Sequence, residues 1–475
     1  MYHIFKKNLM KKNNLIFLLL FLVSSLFAQD DFNIRVARFQ YKQGNKQTKA
    51  GNFTKALKHF ERVNAKLKKL SESNYSNLNV KKSYGYSYIY LGNTYSSLGN
   101  SEKALENFEG FARISKELYT GHTTFAPYKK DWAMANSLLG EAHYDLGNLD
   151  KSISFQEEYL RLAQELSDAN PKKEEFKTLL MAAYDALGAR YMVLGKLDSM
   201  LLYYEKKHQL ANALYQTTSG NPGFKNTVAM SYGNLGQAYN ALDSTDKALV
   251  CYQEAYRLEK ELTTDYGANP NFQRGLGISY KHLGIHYAEL MKFDTALTLQ
   301  TEGNRLLKTL CTNFPTNQKY KHNLLDSYEA LTTTYIEAGK VEKAALSLKE
   351  YSGLAKEVFT NQSKPISHLY HKGTFIWLQG ILSLRLGKWE DANQSFTNYV
   401  TLCNTLRSKS PKSVLFIANY AIGAAIENAL ALLNKTKTDK QNITVAKELL
   451  SQLNQKTPMP QYQKKEKIVA KMLEP

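Results

Sequence analysis

One spacing constrains this chain more than any other feature. Glycine stands at Gly51, Gly99, Gly147 and Gly195, gives way to Asp243 and Met291, and returns at Gly339 and Gly387, each step being 48 residues. A second comb lies seven residues ahead, at Gly44, Gly92, Gly140, Gly188, Gly236, Gly284, Thr332 and Gly380. A third holds small side chains at Ala56, Ala104, Ser152, Ala248, Ala296, Ala344 and Ala392, with Met200 the exception. Eight copies keep register without an insertion. With 475 residues the chain exceeds the roughly 250–300 at which a single core stops growing. A fixed period of this length points to one supersecondary unit stacked on copies of itself, because one unit cannot cover its own apolar face.

The pattern inside the unit is helical. Tyr232, Leu235, Tyr239 and Leu242 fall at i, i+3, i+7 and i+10, one stripe of an α-helix and not the alternation of a strand. A polar stretch such as Asp243, Ser244, Thr245 and Asp246 then offers N-cap side chains, and a second stripe follows through Ala248, Tyr252, Ala255 and Leu258. Each repeat therefore reads as a first helix, a turn and a second helix. Pro127, Pro171, Pro222, Pro270, Pro315, Pro365 and Pro411 all lie between one pair and the next, where a missing amide does least harm. Asn170–Pro171, Asn221–Pro222 and Asn269–Pro270 read as an Asn cap followed by Pro at the first helical position.

These residues carry a family resemblance. Leu91, Gly92, Tyr95, Leu98, Gly99, Ala104, Leu105 and Phe108 resemble the tetratricopeptide repeat, and the likeness recurs in register over residues 31–404. The departure is the period, since that family's usual unit is ~34 residues. The excess is close to four helical turns, two on each helix, so longer helices rather than additional ones are expected. The resemblance implies an all-α fold, an α-α superhelical solenoid of about eight helix pairs, spanning 29–404, with C-terminal capping helices over 405–475. An apolar helix at 413–433, a shorter one near Thr444 to Leu453 and a basic one near Gln461 to Leu473 fill the capping role.

The first 28 residues have the outline of a secretory signal peptide. Lys6, Lys7, Lys11 and Lys12 precede an apolar run from Leu15 to Val23 that is short of the ~20 residues needed to span a bilayer, and Ala28 is the expected cleavage point. Translation from Met1 and from Met10 both fit. An exported protein, periplasmic or extracellular, is the expectation. Losing four lysines and no acid lowers the formal charge from +19 to +15. Residues 29–75 carry 11 basic against 4 acidic side chains and residues 405–475 carry 12 against 5, while residues 76–404 carry 35 against 34. The long middle has no basic stripe, so nucleic acid is not an expected partner. The basic ends read as solvated caps, or as a peripheral contact with an anionic envelope surface.

The chemistry-bearing motifs dissolve into the repeat. There is no phosphate loop, HExxH, paired CxxC or GxSxG in the sequence, so neither a catalytic nor a cofactor site is expected. Gly275 and Gly277 resemble the opening of a dinucleotide fingerprint but follow no strand. Ser244 and Lys247 have SxxK spacing at a helix N-cap. His282 and His286 share a helix face, as metal ligands often do, yet nothing nearby in sequence completes a set, and ordinary surface histidines are the expectation. His368 and His371 invite the same idea with less behind it. Cys251 and Cys311 differ by twelve residues in repeat position, ~18 Å along a helix and beyond the reach of a disulfide, so free thiols are expected. Tyrosines at Tyr184, Tyr232, Tyr280 and Tyr328, and at Tyr191, Tyr239, Tyr287 and Tyr335, recur with the repeat and read as packing.

The resemblance also implies where a partner sits. In that family the first helix lines a concave face through positions that include the third residue before and the first after the helical glycine. The earlier column here reads Ile89, Ser137, Asp185, Gly233, Lys281, Glu329 and Trp377, and the later one Asn93, Glu141, Ala189, Gln237, Ile285, Thr333 and Ile381. Asp185, Gln237, Lys281, Glu329 and Trp377 are the candidate contacts for a protein or peptide partner, with Trp377 the expected hot spot. A glycan-binding role at an outer membrane is the alternative reading. The family's carboxylate clamp is not reproduced.

Overall fold

A computed structural model describes residues 32–73, 77–218, 220–358, 366–413 and 419. The signal peptide expected over residues 1–28 and the capping helices expected beyond residue 413 lie outside those residues. Every regular element among them is a helix, and the helices fall on the 48-residue grid. The eight pairs are α1 (Phe32–Lys49) with α2 (Phe53–Ser73), α3 (Leu78–Ser97) with α4 (Ser101–Gly121), α5 (Ala126–Asp145) with α6 (Leu149–Ala169), α7 (Glu174–Val193) with α8 (Leu197–Thr217), α9 (Pro222–Ala241) with α10 (Thr245–Asp265), α11 (Pro270–Glu289) with α12 (Phe293–Asn313), α13 (Gln318–Glu337) with α14 (Val341–Val358), and α15 (Ile366–Arg385) with α16 (Trp389–Lys409). From α3 to α13 the first helices are 20 residues long, and from α4 to α12 the second helices are 21, so the long period is spent on longer helices. The last pair ends at Lys409, five residues beyond the expected limit of the array.

The chain divides into two compact units, Met1–Ala189 with Asn361–Ile366, and Arg190–Thr360 with Ser367–Pro475. In the first, α1 packs on α2, α2 on α3, α3 on α4, and so on through α6. In the second, α8 through α14 follow the same order, and the first helices α9, α11 and α13 also touch in succession.

Each comb has a physical cause. The turn comb is a helix-terminating position in the left-handed region: Gly51, Gly99, Gly147, Gly195, Gly339 and Gly387 have φ between 70° and 88°, and the two substitutes, Asp243 and Met291, adopt φ 57° and 59°. The residue after it donates its amide back to the closing turn, as Asn100 does to the Tyr95 carbonyl at 2.9 Å and Lys292 to that of Tyr287 at 2.9 Å. The helix comb marks where the second helix presses a large side chain onto the first. A methyl group on Gly92 would lie 2.4 Å from Phe108, and one on Gly380 would lie 2.8 Å from Phe396. Where the comb reads Thr332, its hydroxyl bonds Ser347 at 2.8 Å. The small-residue comb is sealed throughout, Met200 included.

Polar pairs repeat on the same grid. Lys81–Glu117, Lys129–Glu165, Lys225–Glu261 and Lys321–Glu357 each join a first helix to its own second helix, 36 residues on. Asn64–Ser87, His208–Ser231 and Asn304–Ser327 join a second helix to the next first helix, 23 residues on.

Two local expectations change. Asn221 and Asn269 cap their helices with Pro at the start, but Asn170 closes α6 as its C-cap and α7 begins only at Glu174. Ser244 occupies an N-cap without making a side-chain cap bond, whereas Asn100 before α4 accepts one from the Lys103 amide. Gly275 and Gly277 serve packing: a methyl on the first would strike the Glu259 carboxylate at 2.3 Å, and one on the second would meet Leu307 at 2.9 Å. No helix among the described residues is long and apolar enough to cross a membrane.

Candidate functional site

Successive first helices meet along a diagonal of i to i+45, one turn short of the repeat. In the first unit the Tyr86 hydroxyl donates to Asp131 Oδ1 at 2.5 Å, and Lys130 pairs with Glu175. In the second unit Gln237 Nε2 lies 3.4 Å from His282 Nδ1, and Lys281 Nζ lies 3.9 Å from Asp326 Oδ2. The step from Asp326 by another 45 residues reaches His371, whose Nε2 is 3.9 Å from Asp326 Oδ1. This diagonal decides what shares a surface.

The candidate residues do not all share one environment. In the first unit Asp185 is half-buried, near enough to Tyr159 for its charge to help hold that phenol protonated. In the second unit Gln237, Lys281 and Glu329 are half-buried on α9, α11 and α13. Their neighbours at this face include residues outside the candidate set. Asp326, Glu329 and His371 each bring one ligand-type atom to within 4.8 Å of the others, and Lys281 borders them through Asp326. The rings of His322 and His371 lie 5.8 Å apart, and those of His322 and His368 6.2 Å. Burial and the two neighbouring imidazoles push His368 down to about 3, and burial lowers His371, so these two rings are uncharged at neutral pH.

Trp377 corrects the expected column. It is 7% exposed, with its ring 5.5 Å from Phe396 and 5.4 Å from Tyr399 on α16. A large ring at this offset reaches inward to the second helix, so Trp377 is core and not an exposed anchor. Ile89, Ser137 and Ile381 are likewise buried. His282 and His286 are corrected too. His286 is fully buried, and both rings meet Tyr252 edge-on, at 5.6 and 5.9 Å, so they are packing residues rather than surface histidines. Burial lowers the pKa of both. The tyrosine columns are mixed: Tyr184 and Tyr328 are buried, while Tyr232, Tyr280, Tyr191, Tyr239, Tyr287 and Tyr335 are half-buried. None of the three cysteines is in a disulfide; Cys251 and Cys403 are buried and Cys311 is half-buried.

With this geometry in place the comparisons can be read. The tetratricopeptide-repeat model matches residues 86–117, 135–166 and 229–262, which fall on α3–α4, α5–α6 and α9–α10. No curated protein sequence matches the chain. Similar solved structures include a monomeric IFIT1 mutant (14% identity, TM-score 0.48, covering 98% of this chain and 86% of that one). Yeast Tom70 is another (14%, 0.34, 92% and 96%), as is a tetratricopeptide-repeat protein from Parabacteroides merdae (15%, 0.34, 69% and 98%). Three stretches of this chain therefore match the tetratricopeptide repeat, and each falls on one helix pair of an array whose period is 48 residues.

Proposed function

We propose that this chain is an exported, non-catalytic scaffold that holds a protein or peptide partner against its first helices. Tetratricopeptide-repeat scaffolds generally bind proteins or peptides and are generally non-catalytic, which is the coarse part of the reading. The observation that carries the finer part is a contrast between columns. The packing positions repeat in kind, small at Ala248, Ala296 and Ala344 and fully buried. Within the second unit the half-buried positions of the earlier column change chemistry with each repeat, through Gly233, Lys281 and Glu329, and Gln237 stands half-buried in the later column. A surface matched to one partner needs that variation, and packing does not. Export rests on the basic and apolar pattern of residues 1–28. The test is crosslinking of a tagged copy in the native cell, with fractionation of the envelope. Recurrent recovery of one protein from the exported fraction supports the reading. Recovery of glycan alone supports the glycan alternative, and a copy retained in the cytoplasm removes the export step.

A further inference from the structure

The face formed by α11, α13 and α15 holds a donor set that no single stretch of sequence contains. We propose that Asp326, Glu329 and His371 bind a divalent transition-metal ion of the zinc class. The proposal is independent of the partner reading.

Geometry comes first. Asp326 and Glu329 are three apart on α13 and so share a face, while His371 arrives from α15 along the 45-residue diagonal. Their ligand atoms lie within 4.8 Å of one another, with His371 Nε2 3.9 Å from Asp326 Oδ1. Ligands held ~2.0–2.1 Å from a tetrahedral ion sit about 3.3 Å apart, so the widest pair has to close by about 1.5 Å at most to share one centre. The two carboxylates supply charge, and the imidazole selects borderline ions over magnesium and calcium, which take oxygen.

The surroundings suit such a centre. His371 is almost wholly buried, and its backbone carbonyl accepts a hydrogen bond from the Tyr351 hydroxyl at 3.0 Å, which fixes the turn of α15 that carries it. His322 Nδ1 lies 2.7 Å from the Gln318 carbonyl. That contact requires the proton on Nδ1. Its ring is 5.8 Å from that of His371, beside the three-residue set and not one of its ligands. Lys281 opposes the ion: its ammonium, 15% exposed, faces the other oxygen of Asp326 at 3.9 Å. It must turn away as the ion enters, so it sets the affinity without preventing binding.

The probe is Co²⁺, added to metal-stripped full-length protein and followed by its visible d–d absorption, with Zn²⁺ as competitor. One Co²⁺ per chain in a low-symmetry nitrogen and oxygen environment, displaced by Zn²⁺, is expected. Glu329→Gln and Asp326→Asn, which preserve shape, should each weaken binding roughly tenfold or more at an unchanged melting temperature. Lys281→Met should tighten it. His371→Ala should abolish the band, and because that buried position also affects folding, the two carboxylate variants decide the matter. No band, or a band whose affinity in both carboxylate variants equals that of the parent protein, overturns the site.

Discussion

A methyl group added to Gly236 would lie 2.4 Å from Cε1 of Tyr252. The two residues are sixteen apart, and the same pair of offsets joins Gly44 to Phe60, Gly92 to Phe108 and Gly380 to Phe396. Tyr252 is itself buried, so its ring has little room to yield. Gly236→Ala is expected to destabilise the protein by about 1–3 kcal/mol in chemical denaturation, despite the better helix propensity of alanine. An unchanged midpoint would mean that the comb does not record the close approach of two helices.

Met291 is expected to behave in the opposite sense. It holds φ 59° at a position where six other repeats use glycine, and it is 65% exposed, so little packing is lost on its removal. Met291→Gly should raise stability by about 0.5–1 kcal/mol. Asp243→Gly, at φ 57°, should gain less, because aspartate tolerates the left-handed region better. Thermal melts of the two variants check the order.

These two positions show how much of the fold was legible in sequence. The grid predicted a turn at Asp243 and at Met291 although neither is glycine, and both are there. The site was less legible, because the sequence shows periods of 48 whereas first helices meet at 45. That offset depends on how neighbouring helices cross, and it is what brings His371 to Asp326. A search for ligands near His282 in sequence could not reach this set. The charge ladder beginning at Lys81 and Glu117 recurs in four repeats and was available to a search for periodic charges. Trp377 was not legible for a different reason: the offset does not say which way a ring of that size turns, and here it reaches Phe396 and Tyr399.

Trp377→Ala is accordingly expected to cost about 3–5 kcal/mol of stability, as large core truncations do. Trp377→Phe should retain most of it. If the alanine variant melts with the parent and loses only partner capture, Trp377 belongs to the surface after all.

Glu259 makes the stability depend on pH. It is 1% exposed, and burial pushes its carboxyl up to about 8, against a smaller opposing pull from Arg274. An unfolded glutamate ionises near 4.5, so between that pH and about 8 the folded state holds a proton that the unfolded state has released. Stability contributed by this group is therefore greatest below the lower value and falls as pH rises toward the upper one, by roughly 1.4 kcal/mol per unit at most. Glu259→Gln should flatten that slope. Denaturation midpoints from pH 5 to 8 compare the two, and a glutamine variant that is less stable and keeps the slope would show the carboxylate ionised beside Arg274.

The central claim is that the first helices, not the second, hold the partner. A photo-crosslinking residue placed at Gln237 on α9 is compared in the native cell with one at Val250 on α10, which is 59% exposed. The account predicts one discrete protein adduct from position 237, lost with an added Lys281→Glu reversal, and none from position 250. Adducts from 250 alone, or equal adducts from both, would contradict it.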